Sequence, residues 1–172
     1  MATIYCSTKL STLLGLPKKS KDFPTAAIDS HGWNAMLFYL NKKKCLLFMN
    51  KPTLYCFLAL DIVKKDLADF KKFFLQHFTD QLIADQLITE RTKVMLEQDY
   101  RTIVLKPTDN DKSIIGSMND CIFRIRYYNS RNEEPQTMNS TFIGHQLNKT
   151  PMGAIGYSNP VEKMKEYLSI NL

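Results

Sequence analysis

Apolar residues gather first in three short runs, WNAMLFYL (Trp33–Leu40), CLLFM (Cys45–Met49) and LYCFLAL (Leu54–Leu60). The linkers between them, Asn41–Lys44 and Asn50–Thr53, are short and polar, so the runs read as an antiparallel meander. None of the three alternates apolar with polar. In the first, Trp33, Ala35, Leu37 and Tyr39 share one face, and Met36, Phe38 and Leu40 share the other. Strands apolar on both faces need cover on both. Helices can supply both layers, or a second subunit can supply one.

Downstream the period lengthens. From Lys64 to about Leu87 the residues Leu67, Phe70, Phe74, Phe78 and Leu82 recur three or four apart, one helical stripe with Asp66, Lys71, Lys72 and Gln76 opposite. Asp61 is placed to cap that helix. Thr89 is placed to cap a second, Glu90–Gln98, with Val94 inward. Thr3–Ser7 and Tyr100–Leu105 read as further strands, and Lys9–Leu14 as a short helix closed by Gly15 and Pro17. Ile114, Ile115, Met118, Ile122 and Ile125 predict a helix over Ser113–Tyr128, capped by Asp111 or Ser113. A last helix opens at Pro160, with Ser158 or Asn159 as cap and Val161, Met164 and Leu168 inward. Leu16–Gly32, Asn129–Thr141 and Leu147–Pro160 read as loops and turns. The expectation is an α+β fold: an antiparallel meander of about four to five strands packed by three or four helices. The 172 residues fit a single domain.

Composition narrows the setting more than the fold. The formal charge is +6 and the pI about 9.1, a basic excess that favours polyanionic partners. Cys6, Cys45, Cys56 and Cys121 show no C-x-x-C spacing, and each lies in an apolar run, which predicts buried, reduced thiols and no zinc ribbon. His31, His77 and His145 form no H-x-x-x-H pattern, so neither a metal nor another cofactor is expected. The chain does not open on a charged and then apolar leader, and its longest apolar stretch, Leu54–Val63, is too short to span a bilayer. A soluble, cytoplasmic protein without membrane contact is the expectation.

The densest polar motif is TDNDKSIIGSMND, Thr108–Asp120. Its helix start offers unpaired N–H groups suited to an anion, with Lys112 adding charge and Ser117 a hydroxyl. Against that, the G-x-x-x-x-G-K-[ST] pattern is missing, and Asp109 and Asp111 repel phosphate. Ordinary capping and packing accounts for the same residues. Asn119 and Asp120 sit at the edge of the apolar stripe, and Asn34 is polar inside an apolar strand. They read either as ties to nearby backbone or as one polar cluster lining a cleft. The candidate binding set is therefore Asn34, Asn110, Lys112, Ser117, Asn119 and Asp120. No catalytic residue is singled out, since neither a nucleophile elbow nor a cysteine–histidine pairing is evident. A second candidate is a basic surface built from Lys18, Lys19 and Lys21 in the first loop and from Arg124, Arg126 and Arg131, where Tyr127 and Tyr128 offer rings to stack bases.

Taken together, TIYCSTKL, WNAMLFYLNKKKCLLFMNKPTLY, TDNDKSIIGSMNDCIF, LNKTPMG and NPVEKM span nearly the whole chain. In these pieces the sequence resembles a bacterial family of small single-domain proteins classed as a domain of unknown function. The resemblance implies a shared fold and one domain, and brings no activity with it. Two functions stay open. One is a non-catalytic binding module for a protein partner, for itself as a homo-oligomer, or for nucleic acid. The other is an enzyme acting on a phosphorylated or nucleotide-like substrate at the helix beginning near Ser113.

Overall fold

The computed structural model describes residues 1–17, 32–131 and 139–171. Most of the first expected loop, with Lys18, Lys19, Lys21 and His31, lies outside the described residues. The chain starts in β1 (Ala2–Cys6) and α1 (Thr8–Leu14), which Gly15 ends in the left-handed region at φ 67°. The expected meander follows as β2 (Gly32–Leu40), β3 (Lys43–Asn50) and β4 (Cys56–Ile62). Asn41 and Lys42 make the first hairpin turn with φ of 48° and 65°. With both left-handed it is a type I′ turn, whose twist matches that of its strands. A 3₁₀ turn, Lys64–Leu67, leads into α2 (Phe70–Ala84) and α3 (Glu90–Asp99). Then come β5 (Ile103–Pro107), α4 (Lys112–Arg131), α5 (Ser140–Asn148) and α6 (Pro160–Asn171).

The sheet order is β4-β3-β2-β1-β5, and β1 pairs parallel with both neighbours. The sheet is thus mixed rather than an antiparallel meander throughout, and six α-helices rather than three or four pack it among the described residues. Strand direction leaves no mark in so short a run as Ala2–Cys6. It is set by the long connections into β2 and β5, because parallel neighbours need crossovers.

Other expectations shift locally. The long helix is broken at Asp69, whose carboxylate caps α2 by accepting from Lys72 N at 3.0 Å. Asp61 caps nothing; it sits in β4 at φ 54° and faces Lys43 at 2.5 Å. Val94 is 58% exposed, and Leu96 faces the core instead. The sequence places only the two ends of α5 in loop or turn and assigns nothing to Phe142–Gln146, a stretch where Ser140, Thr141 and Gly144 are poor helix formers. Tertiary contact overrides that preference, with Ile143 and Leu147 buried.

Both sheet faces are covered by the chain's own helices. Trp33, Ala35, Leu37, Phe48 and Phe57 pack against α1, α2, α3 and α6. Phe38, Leu40, Leu47, Met49 and Leu58 pack against α4 and α5. The first core is aromatic: the Trp33 ring lies 5.2 Å from Phe74 and 4.8 Å from Phe78, both edge-on, and its Nε1 donates to Tyr100 Oη at 3.1 Å. All four cysteines are buried free thiols, and burial pushes the Cys6 thiol up to about 12.

α5 closes the outer edge of β4. The Asn148 carboxamide accepts from Cys56 N and donates to Cys56 O, both at 2.9 Å, as a neighbouring strand would. Behind it the buried Asp85 carboxylate accepts from Tyr55 Oη at 2.6 Å, Asn148 Nδ2 at 3.1 Å and Gln81 Nε2 at 3.2 Å, and meets His145 Nδ1 at 2.5 Å. A Cβ on Gly144 would fall 2.1 Å from Gln81 Oε1, so a larger residue there would push the Gln81 carboxamide off its bonds to Asp85 and Thr141 O.

The hairpin turn gives a test of sign. Lys42 is exposed and held at positive φ, a conformation costing a residue with a Cβ about 1 kcal/mol that glycine avoids. Lys42→Gly is expected to raise unfolding stability by about that amount in urea titration; an unchanged or lower midpoint would contradict the assigned turn.

Candidate functional site

The helix after β1 packs on one face of the sheet, and the helix after β5 packs on the other. The chain therefore leaves two adjacent parallel strands in opposite directions. In an open sheet this divergence leaves a crevice beyond the carboxyl ends of those strands. Here it is a cleft of about 200 Å³, with Ser7 and Thr8 beyond β1, Thr108 and Asn110 beyond β5, and Asn34 beneath. Tyr5, Met36, Ile115 and Met118 supply apolar walls.

Register places Asn34. It pairs with Tyr5, so a polar residue of an otherwise apolar strand lies beside the end of β1 and within reach of the β5–α4 loop. It is 4% exposed. Its Nδ2 donates to Asp109 Oδ1 at 3.3 Å. A carboxylate only accepts, so Asp109 fixes which end of the carboxamide faces it. The other end, Oδ1, is buried and has no hydrogen-bond partner among the described residues.

Asp109 is held from behind by Lys51, which the β3–β4 turn presents. Asn50 winds that turn by accepting from Thr53 N at 3.3 Å and Thr53 Oγ1 at 2.7 Å. Lys51 Nζ lies 2.5 Å from Asp109 Oδ2, 3.4 Å from Asp111 Oδ2 and 5.0 Å from the centre of the Tyr5 ring. Burial by itself would raise the Asp109 carboxyl. Hydrogen bonds from Lys51, the Asp111 N–H and Asn34, together with the Lys51 charge, bring it below its ordinary range instead. Burial likewise pulls Lys51 down, and Asp109 and Asp111 more than offset it, so the ammonium sits above its ordinary range.

Asp111 caps α4: its Oδ1 accepts from Ser113 N at 3.1 Å and Ile114 N at 3.2 Å. Asn110 turns the chain at φ 59°, and its N–H donates to Thr108 Oγ1 at 3.1 Å.

Of the residues the sequence singled out, the cleft gathers Asn34 and Asn110. Lys112 is exposed at the start of α4, and Ser117 turns its hydroxyl back to Ser113 O at 3.1 Å. Asn119 and Asp120 lie on the exposed face of α4 and do not join Asn34, because Ile114, Met118 and Ile122 hold the opposite face inward. Arg124, Arg126 and Arg131 are exposed on the same helix, and Arg131 Nη1 donates to Tyr127 Oη at 2.7 Å. Ser7, Thr8 and Lys51 are site residues that the sequence reading missed. Parallel pairing of the first strand was the missing signal, since it turns the residues just after that strand into cleft residues. Among the described residues no group of three or more His, Cys, Asp or Glu is gathered to hold a metal ion.

Fold and site together define a small α+β domain with helices on both faces of a mixed sheet and a polar cleft where two parallel strands diverge. Residues 3–163 match the model of the family described as a domain of unknown function, DUF6933, and the chain belongs to that family. No curated protein matches it. Among the described residues no helix is long and apolar enough to cross a membrane.

The ion cluster has a pH signature. Asp109, depressed by its partners, contributes stability that is full above its ordinary value of 3.8 and is lost as pH falls through its lower folded value. Lys51, raised, contributes stability that is full below its ordinary 10.5 and is lost as pH rises through its higher folded value. Lys51→Met is expected to cost about 1.5–3 kcal/mol at neutral pH, the scale of a hydrogen bond to a charged group. It should also flatten the acid limb of the stability–pH curve, measured by urea unfolding from pH 2 to 7 (about five steps suffice). An acid limb as steep as in the parent chain would show that Lys51 does not hold Asp109.

Proposed function

We propose that the domain is a non-catalytic binding module whose ligand is a small molecule held in the cleft beyond β1 and β5. The observation that carries this reading is Asn34, a buried side chain at the cleft whose Oδ1 lacks a partner. A buried acceptor left unsatisfied costs about 1–3 kcal/mol, so native folds rarely keep one without use. The lining residues offer hydroxyls, amides, the Tyr5 ring and apolar side chains, with no histidine, cysteine or charged group among them to activate a hydroxyl. Self-association loses its main argument, because helices of the same chain already cover both faces of the sheet. The phosphate-directed enzyme loses its anion site. Asp111 occupies N–H groups of the first turn of α4, and no charged side chain is among the cleft's lining residues.

The test is a thermal melt against free amino acids, nucleobases, nucleosides, sugars and sugar phosphates. A ligand at a hundred times its Kd adds about 2.7 kcal/mol, or about 5–10 °C for a domain of this size. The same compound should leave the melt of Asn34→Leu unmoved. A panel without any shift, or shifts kept in full by Asn34→Leu, would sink the reading.

A second reading rests on the outer face of α4, where Phe123 is 72% exposed beside Arg124, Arg126 and the Tyr127–Arg131 pair. Aromatic rings among arginines suit single-stranded nucleic acid. Labelled RNA and DNA oligomers should bind in anisotropy at low salt, weaken steeply as salt rises, and fail to bind Arg124→Glu/Arg126→Glu. No binding at low salt removes this reading.

A further inference from the structure

We infer that the ligand of the cleft is an uncharged heterocyclic amide about one ring in size, donating an N–H to Asn34 Oδ1 and accepting a hydrogen bond through a neighbouring carbonyl or ring nitrogen. The inference rests on the cleft being the domain's binding site, and three observations narrow what it takes.

The first is the orientation of Asn34. One Nδ2 proton goes to Asp109, which fixes the carboxamide's orientation, and the atom left without any partner among the described residues is its oxygen, so a ligand that answers it brings a proton. The second is the state of the hydroxyls. Ser7 Oγ accepts from Leu37 N at 3.2 Å, and Thr108 Oγ1 accepts from Asn110 N at 3.1 Å. Each is left with its own O–H to give, so the ligand must also present an acceptor. An amide edge, in a carboxamide or a nucleobase, carries donor and acceptor side by side. The third is charge. No charged side chain is among the cleft's lining residues, and Asp111 caps the start of α4, so a carboxylate or phosphate would lose its water there with no lining cation to answer it.

Size and shape agree. Pockets for drug-sized ligands run about 300–1,000 Å³, and 200 Å³ takes something smaller. Met36 and Met118 are among its lining residues, and methionine packs well on flat rings.

Matched pairs test the charge rule directly. Calorimetry at pH 7 would compare nicotinamide with nicotinate, pyrazinamide with pyrazinoate, and uracil with orotate. The uncharged member of a pair is expected to bind roughly tenfold or more tighter. Binding should be lost in Asn34→Leu and in Met36→Phe, an apolar exchange that narrows the cleft and spares the Asn34–Asp109 bond. Circular dichroism confirms that each variant folds. If the anionic members bind more tightly, with the same loss in both variants, the ligand class is wrong and the cleft reading survives. If no member binds, or binding ignores both variants, the class falls. A flat thermal panel as well would take the cleft reading with it.

Discussion

Burying both faces of β2, β3 and β4 takes helix on each side of the sheet, and one chain must provide it. The covering helices therefore cannot all follow one hand of the sheet. α1, α2, α3 and α6 go to the aromatic face, while α4 and α5 go to the other. The change of side falls between β1 and β5, and the cleft lies where it falls. The site is thus a product of how the hydrophobic core is closed. Its position would be kept by any sequence that preserved this alternation.

What the core leaves open, the polar residues shape. Lys51 comes from the β3–β4 turn, Asn34 from mid-sheet, and Asp109 and Asp111 from the loop before α4. They meet through contacts of 2.5 to 3.4 Å. Each member limits the others. Lys51 keeps Asp109 ionised, and Asp109 holds Asn34 in one orientation. Asp111 meanwhile occupies the N–H groups that an incoming anion would use. A network of this kind is rigid when complete and costly when any member is missing.

Much of this was legible in the sequence. The meander, the two-sided strands, the stripe of α2, the start of α6 and the buried cysteines all follow from spacing, because period and burial are local signals. Asn34 stood out for a local reason too, as a polar residue in an apolar run. The strand directions at β1 and β5 were not legible, and with them went Ser7, Thr8 and the cleft. Asp109 looked like an ordinary acid ahead of a helix until Lys51 reached it from 58 residues away. α5 escaped because its helix exists only on the support of β4 and α2, with a glycine where a helix would sooner have alanine.

α5 also decides what the sheet presents to other molecules. By answering Cys56 on both its N–H and its C=O, Asn148 gives β4 a false neighbour one side chain wide. Were α5 to lift away, that side of the sheet would offer a row of unanswered backbone groups flanked by Phe57 and Leu58, the material from which chains template one another into fibrils. Gly144 and Asn148, on the helix that covers the sheet edge opposite β5, are in this sense the residues that keep that edge answered.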